Sequence, residues 1–166
     1  MDYQNTDIPK PYQYEITCFA RIVNRESHPD DCIFFGPHLV NELLKYEFPN
    51  KRISRPDAIR FEKNPNQWRL TDLFEFKSGK KRRKPLSKLS RFSSLLEEMR
   101  EEPDFLPDLL RHGLGKSVDI PERILIPPDD QITVTFVTPK FSGVIVSLNN
   151  APKFTIAHLQ ITTDIN

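Results

Sequence analysis

The chain has 166 residues, 37% of them hydrophobic and 28% charged, with a formal net charge of +1. That length suits one domain with its own core, and that apolar content excludes a chain too polar to fold. Near-neutrality supplies no overall field to draw in nucleic acid or an anionic membrane, so a charged partner has to be recognised through local patterning. Fifteen prolines against five glycines, without a repeat, exclude collagen and turn attention to proline as a marker of element ends.

Residues 1–7 carry neither a basic nor an apolar leader, and no apolar run approaches the ~20 residues of a membrane span. The expectation is a soluble, cytoplasmic protein with no membrane partner. Cys18 and Cys32 stand 14 apart without a CxxC pair, which fits neither a zinc knuckle nor a disulfide framework. The sequence is read as a single domain, 1–166.

In chain order, Tyr12, Tyr14, Ile16, Cys18, Ala20 and Ile22 alternate with polar residues and predict an added N-terminal strand over 12–23. Gly36-Pro37 then opens a helix over 37–48, with Leu39, Val40, Leu43 and Leu44 on one face; Pro49 stops it. Apolar segments at 56–62 and 68–77 flank Asn64-Pro65-Asn66, a turn signal, and predict a β-hairpin. Pro85 begins a helix over 85–102 with Leu86, Leu89, Phe92, Leu95, Leu96 and Met99 at helical spacing, ended by Pro103. Residues 104–130 read as irregular, with at most a short helix from Asp108 to His112 stopped by Gly113. Ile132, Val134 and Phe136 mark a strand over 131–138, and further strands are expected within 141–163, around 144–146 and 154–161. The fold class is α/β (α+β), a mixed β-sheet flanked by helices with added N- and C-terminal strands. Trp68 and Phe74 are expected in the core.

Chemistry concentrates at Pro56-Asp57 and Glu75-Phe76-Lys77. Alternation puts Glu75 and Lys77 on one face of their strand. A hairpin turning about Asn66 sets Glu62 opposite Leu70, Phe61 opposite Thr71, and Asp57 opposite Glu75. Directly opposed residues have Cβ atoms ~4.5–5.5 Å apart, so two carboxylates there repel unless neutralised. A hard divalent cation answers that need: Mg²⁺ is held by one or two carboxylates and keeps several waters. A lysine one pleat further on lies beside it.

Pro56-Asp57, 17 intervening residues, then Glu75-x-Lys77 resembles the signature of the PD-(D/E)XK nuclease superfamily. The segments 37–48, 50–54, 56–62, 68–77, 85–102 and 131–138 follow that family's order of helix, strand, strand with Asp, strand with ExK, helix and strand. The resemblance covers about 37–138. It implies a restriction-endonuclease-like core and a Mg²⁺-dependent DNA endonuclease, with Mn²⁺ as the substitute ion. Asp57, Glu75 and the Phe76 carbonyl would hold the metal, and Lys77 would position the attacking water. Glu42, one turn into the first helix, is a further ligand candidate. The alternative is a non-catalytic nuclease-fold module for binding or assembly in a nucleic-acid-processing or mobile-element complex.

From Lys77 to Arg91 there are eight Lys or Arg and no acid. Beside a phosphodiester site, Lys80, Lys81, Arg82, Arg83, Lys84 and Lys88 are candidates for DNA phosphate contact. Glu97, Glu98, Glu101, Glu102, Asp104 and Asp108 follow and cancel that charge in the total. A homodimer or larger complex would suit cutting both strands. His28, Asp30, Asp31 and Cys32 lack the spacing of a closed metal site, and Gly113-Leu114-Gly115 lacks the strand and third glycine of a dinucleotide fingerprint.

Overall fold

The computed structural model describes residues 10–25, 31–37, 56–77, 85–139 and 153–162. The expected helix over 37–48 beyond Pro37, with Glu42, the expected strands at 50–54 and 144–146, and Lys80, Lys81, Arg82, Arg83 and Lys84 lie outside the described residues. The elements are α1 (Lys10–Arg25), β1 (Cys32–Phe35), β2 (Ala58–Lys63), β3 (Gln67–Phe76), α2 (Pro85–Glu101), α3 (Phe105–Leu114), β4 (Arg123–Leu125), β5 (Thr133–Thr138) and β6 (Thr155–Gln160). Among the described residues no helix is long and apolar enough to cross a membrane.

The first correction concerns 12–23, which is helical and not a strand. Tyr14, Cys18 and Ile22 are buried, and their spacing of four satisfies alternation and a helical stripe alike. Ile16 and Ala20, which only alternation would bury, are half-buried and exposed. The second correction is β1, a four-residue strand that the sequence reading passed over. Where α1 meets the end of β1, a Cβ on Gly36 would stand 2.5 Å from Phe19 Cε1, so any larger residue there would have to displace the Phe19 ring.

One mixed sheet runs β1-β2-β3-β5-β6, with β4 beside the first part of β3. β1, β2 and β3 form an antiparallel meander. β5 is parallel to β3 and β6 is parallel to β5. The hairpin turns on Pro65-Asn66, with the Asn64 and Gln67 main chains bonded to each other; Pro65 supplies the fixed φ that such a turn position favours. Near the turn Phe61 faces Leu70 and Glu62 faces Arg69, correcting the expected Glu62–Leu70 and Phe61–Thr71 pairs. A bulge then skips Thr71, and Arg60 faces Asp72, Ile59 faces Leu73 and Ala58 faces Phe74. The Thr71 hydroxyl fastens the bulge, accepting from Arg60 Nη1 at 2.8 Å and donating to the Arg60 carbonyl at 3.2 Å.

The extra residue changes which side chains share a face. Trp68 and Leu70 join Leu73 and Phe136 in one core, packed against Leu89, Phe92, Leu96 and Met99 of α2. Phe74 and Phe76 join Ala58 and Val137 in a second core, packed against Tyr14, Cys18 and Ile22 of α1. The sheet is therefore flanked by helices on both faces, and Trp68 and Phe74 are buried as expected. Tyr14 ties α1 to the far side by donating to the Ile161 carbonyl at 3.1 Å.

In the region expected to be irregular, α3 runs past Gly113 and ends at Gly115, whose φ of 59° is a conformation glycine adopts without strain. Pro107 fits its first turn, where no helical N–H partner is needed.

Candidate functional site

Asp57 immediately precedes β2, and Glu75 and Phe76 end β3. Beyond the last ladder pair, Ala58 with Phe74, the next step sets Asp57 against Glu75. The Asp57 N–H donates to the Phe74 carbonyl at 2.9 Å, and the Phe76 N–H donates to Asp57 Oδ2 at 2.8 Å. A carboxylate oxygen thus takes the place of a ladder carbonyl and holds Asp57 beside Glu75. The bulge keeps Glu75 on the face that α2 covers.

Glu75 is 4% exposed. Its Oε1 is ion-paired with Lys88 Nζ from the first turns of α2. Its Oε2 is buried without a hydrogen-bond partner among the described residues. Burial pushes the Glu75 carboxyl up to about 8, with the Asp57 charge adding to the rise and Lys88 and Lys77 opposing it. Burial likewise raises Asp57, against the Phe76 N–H, Lys88, the neighbouring Glu75 carboxyl and Lys77. A protonated Glu75 can donate to Asp57, whereas two bare carboxylates cannot satisfy each other.

Lys77 follows β3, its N–H bonded to the Val137 carbonyl at 2.9 Å. Its ammonium stands 5.6 Å from the centre of the Phe136 ring and acts on both carboxyls through space. Lys88, expected among DNA contacts, is placed instead on Glu75. The Phe76 main chain reaches Asp57 through its N–H.

One residue of this neighbourhood was passed over in the sequence. Glu15 of α1 is raised to about 7, by burial first and then by the Asp57 charge, with Lys88 opposing. The strand reading of 12–23 hid it; a helical reading puts Glu15 beside the Tyr14–Cys18 stripe, on the flank facing the sheet. Two lysines therefore stand among three acids, each acid disfavoured as an anion.

Among the described residues no three His, Cys, Asp or Glu side chains converge on a closed metal site. What the chain offers is an all-oxygen pair, Asp57 and Glu75, with one buried oxygen unpartnered. That donor set fits a hard cation that keeps part of its water shell, and does not fit zinc, which favours closed nitrogen and sulfur sites.

Elsewhere, a cavity of about 610 Å³ lies between α2 and residues 126–130, lined by Ser93, Arg100, Asp129 and Lys153 among others. Among the described residues, none of the sequence-predicted site residues borders it. His158 of β6 pairs with the Thr138 hydroxyl at 2.5 Å, and burial lowers its pKa; it stands apart from the carboxyl pair. Comparison with protein-family models, curated proteins and solved structures finds no match.

Proposed function

We propose that the chain is a divalent-metal-dependent DNA endonuclease with a restriction-endonuclease-like core. The observation that carries this reading is the buried Asp57–Glu75 pair, with Glu75 Oε2 unpartnered and lysines on either side. Part of the element order supports it: β2 follows Asp57, β3 ends in Glu75-Phe76, α2 comes next, and β5, reached after α3 and β4, is parallel to β3. The segments 37–48 and 50–54, where the resemblance puts the first helix and strand, lie outside the described residues beyond Pro37.

Asp57 and Glu75 would hold Mg²⁺ or Mn²⁺, joined by the Phe76 carbonyl as the resemblance implies. When bound, such an ion lowers the pKa of a coordinated water and stabilises charge on a phosphodiester oxygen. The protein's part is positional. Phe76 N–H fixes Asp57, the bulge at Thr71 fixes the face of Glu75, and Lys77 is the residue to orient water at the open end of β3. Glu15 is a further carboxyl within electrostatic reach of Asp57 and Lys88. The basic run Lys80 to Lys84, directly after Lys77 in sequence, would contact phosphates beside the scissile bond.

The test is cleavage of duplex, single-stranded and branched DNA with and without Mg²⁺, using Asp57→Ala and Glu75→Gln as controls whose folding is verified by circular dichroism. Metal-dependent cleavage lost in both variants supports the reading; equal activity in wild type and variants overturns it. A second reading, a non-catalytic nucleic-acid-binding or assembly module, draws on one observation: Glu75 already has an ammonium counterion in Lys88.

A further inference from the structure

Lys88 is the fourth residue of α2, a helix with no acid in its first turn. A cation near a helix N-terminus opposes the macrodipole, so this position is unfavourable for a lysine on helix grounds alone. Its side chain is nevertheless 16% exposed and its ammonium is on Glu75 Oε1. The same ammonium bears on Asp57 and on Glu15. One buried positive charge thus serves three acids drawn from α1, the start of β2 and the end of β3.

Lys77 also acts on Asp57 and Glu75 through space, with its ammonium 5.6 Å from the centre of the Phe136 ring, whereas Lys88 is in direct ion-pair contact with Glu75. A divalent cation on Asp57 and Glu75 would meet the Lys88 ammonium at contact range in a poorly hydrated site. Like charges so placed cannot both be retained at full strength. Lys88 has a flexible four-carbon stem and an exposed helix edge beside it, since Arg91 and Ser90 are exposed, so it has somewhere to go.

We propose that Lys88 is a built-in counter-cation that competes with the divalent ion for Glu75 and Asp57 and leaves Glu75 when the ion binds. The proposal rests on the metal-site reading above. It makes Lys88 a regulator of ion affinity, and it explains how a buried carboxyl pair keeps its place in a folded chain before any ion arrives.

The experiment measures Mn²⁺ uptake by titration calorimetry and by the free-Mn²⁺ paramagnetic signal, with circular dichroism to verify folding. The proteins are wild type, Lys88→Met, Lys88→Gln, Lys88→Arg and Asp57→Ala. Removing the competing charge in Lys88→Met or Lys88→Gln should tighten Mn²⁺ binding about tenfold or more, the scale of one close charge on an ionisation equilibrium. Lys88→Arg should stay near wild type, and Asp57→Ala should lose uptake. On wild type alone, amine-reactive labelling read by mass spectrometry should show Lys88 protected without Mn²⁺ and more reactive with it. This readout stands even where a Lys88 variant fails to fold. Uptake that depends on Asp57 but is unchanged or weaker in the neutral variants, or labelling that Mn²⁺ leaves unchanged, overturns the Lys88 proposal and spares the metal site. No uptake in wild type or in any Lys88 variant overturns both.

Discussion

The Phe76 N–H donates to Asp57 Oδ2 at 2.8 Å, so the strand that carries Glu75 also anchors the carboxylate that Glu75 repels. An asparagine at 57 can accept the same hydrogen bond without the charge. Asp57→Asn should therefore stabilise the metal-free protein near pH 8 by about 1 kcal/mol, by relieving the charge beside Glu75. The same variant should lose divalent uptake. Urea midpoints with and without Mg²⁺ check both outcomes.

The carboxyl cluster fixes the sign of a pH effect. Glu75 is raised to about 8 and Glu15 to about 7, from an ordinary 4.5. Between about 4.5 and 8 these two groups bind more protons in the folded chain than in the unfolded one, and their contribution to stability falls as pH rises through that window, opposed in part by the lowered His158. The contribution is fully present below the ordinary glutamate pKa and is gone above about pH 8. Melting temperatures across this range should decline in metal-free protein, less so in Glu75→Gln, and Mg²⁺ should lessen the decline. A flat profile in metal-free wild type would contradict the assignment.

Thr71 fastens the bulge through both of its hydrogen bonds to Arg60. Thr71→Val keeps the shape and removes both, and should cost about 1–2 kcal/mol in urea unfolding at an unchanged denaturant slope. Deleting Thr71 is a different matter: it would turn residues 72–77 over relative to 67–70, exchanging Glu75 with the apolar Phe74 and Phe76. That variant should not fold.

Gly36→Ala places a methyl 2.5 Å from the Phe19 ring and should cost about 1–3 kcal/mol through overpacking. In a Phe19→Leu background the added cost should shrink, because the atom it strikes is gone. A double-mutant cycle in urea measures that coupling.

If Lys80, Lys81, Arg82, Arg83 and Lys84 contact DNA phosphates, replacing them with glutamine should weaken DNA binding and flatten its salt dependence. The log–log slope should fall by ~0.9 for every phosphate no longer neutralised. Binding measured by fluorescence anisotropy across a salt series decides it, and an unchanged slope removes these residues from the interface.

Much of the sheet and α2 was legible in the sequence because independent signals coincide there. Asn64-Pro65-Asn66 marks the turn, Pro85 and Pro103 bracket α2, and Leu89, Phe92, Leu96 and Met99 follow one helical face. The N-terminal segment misled because Tyr14, Cys18 and Ile22 fit two periodicities, and with it went Glu15. The bulge left no mark in composition: Thr71 is an ordinary strand residue, and only the turn-side register betrays that one residue has been skipped. The pairing of Lys88 with Glu75 was beyond reach because it depends on how α2 lies on the sheet, and in sequence Lys88 merges into a basic run.

Helix α2 is held by polar contacts at both extremities of an otherwise apolar face. Lys88 meets Glu75 near its start, while Arg100 near its end donates to the Pro127 carbonyl at 2.6 Å and to Asp129 at 2.7 Å. The two attachments lie about 18 Å apart along the axis, and they differ in kind. The Arg100 clasp joins a main-chain carbonyl and a carboxylate through one guanidinium nitrogen, while its Nε is buried without a partner among the described residues. The Lys88 clasp grips a carboxyl that the proposed divalent ion would also claim, so on that reading α2 is fastened at one end and latched at the other.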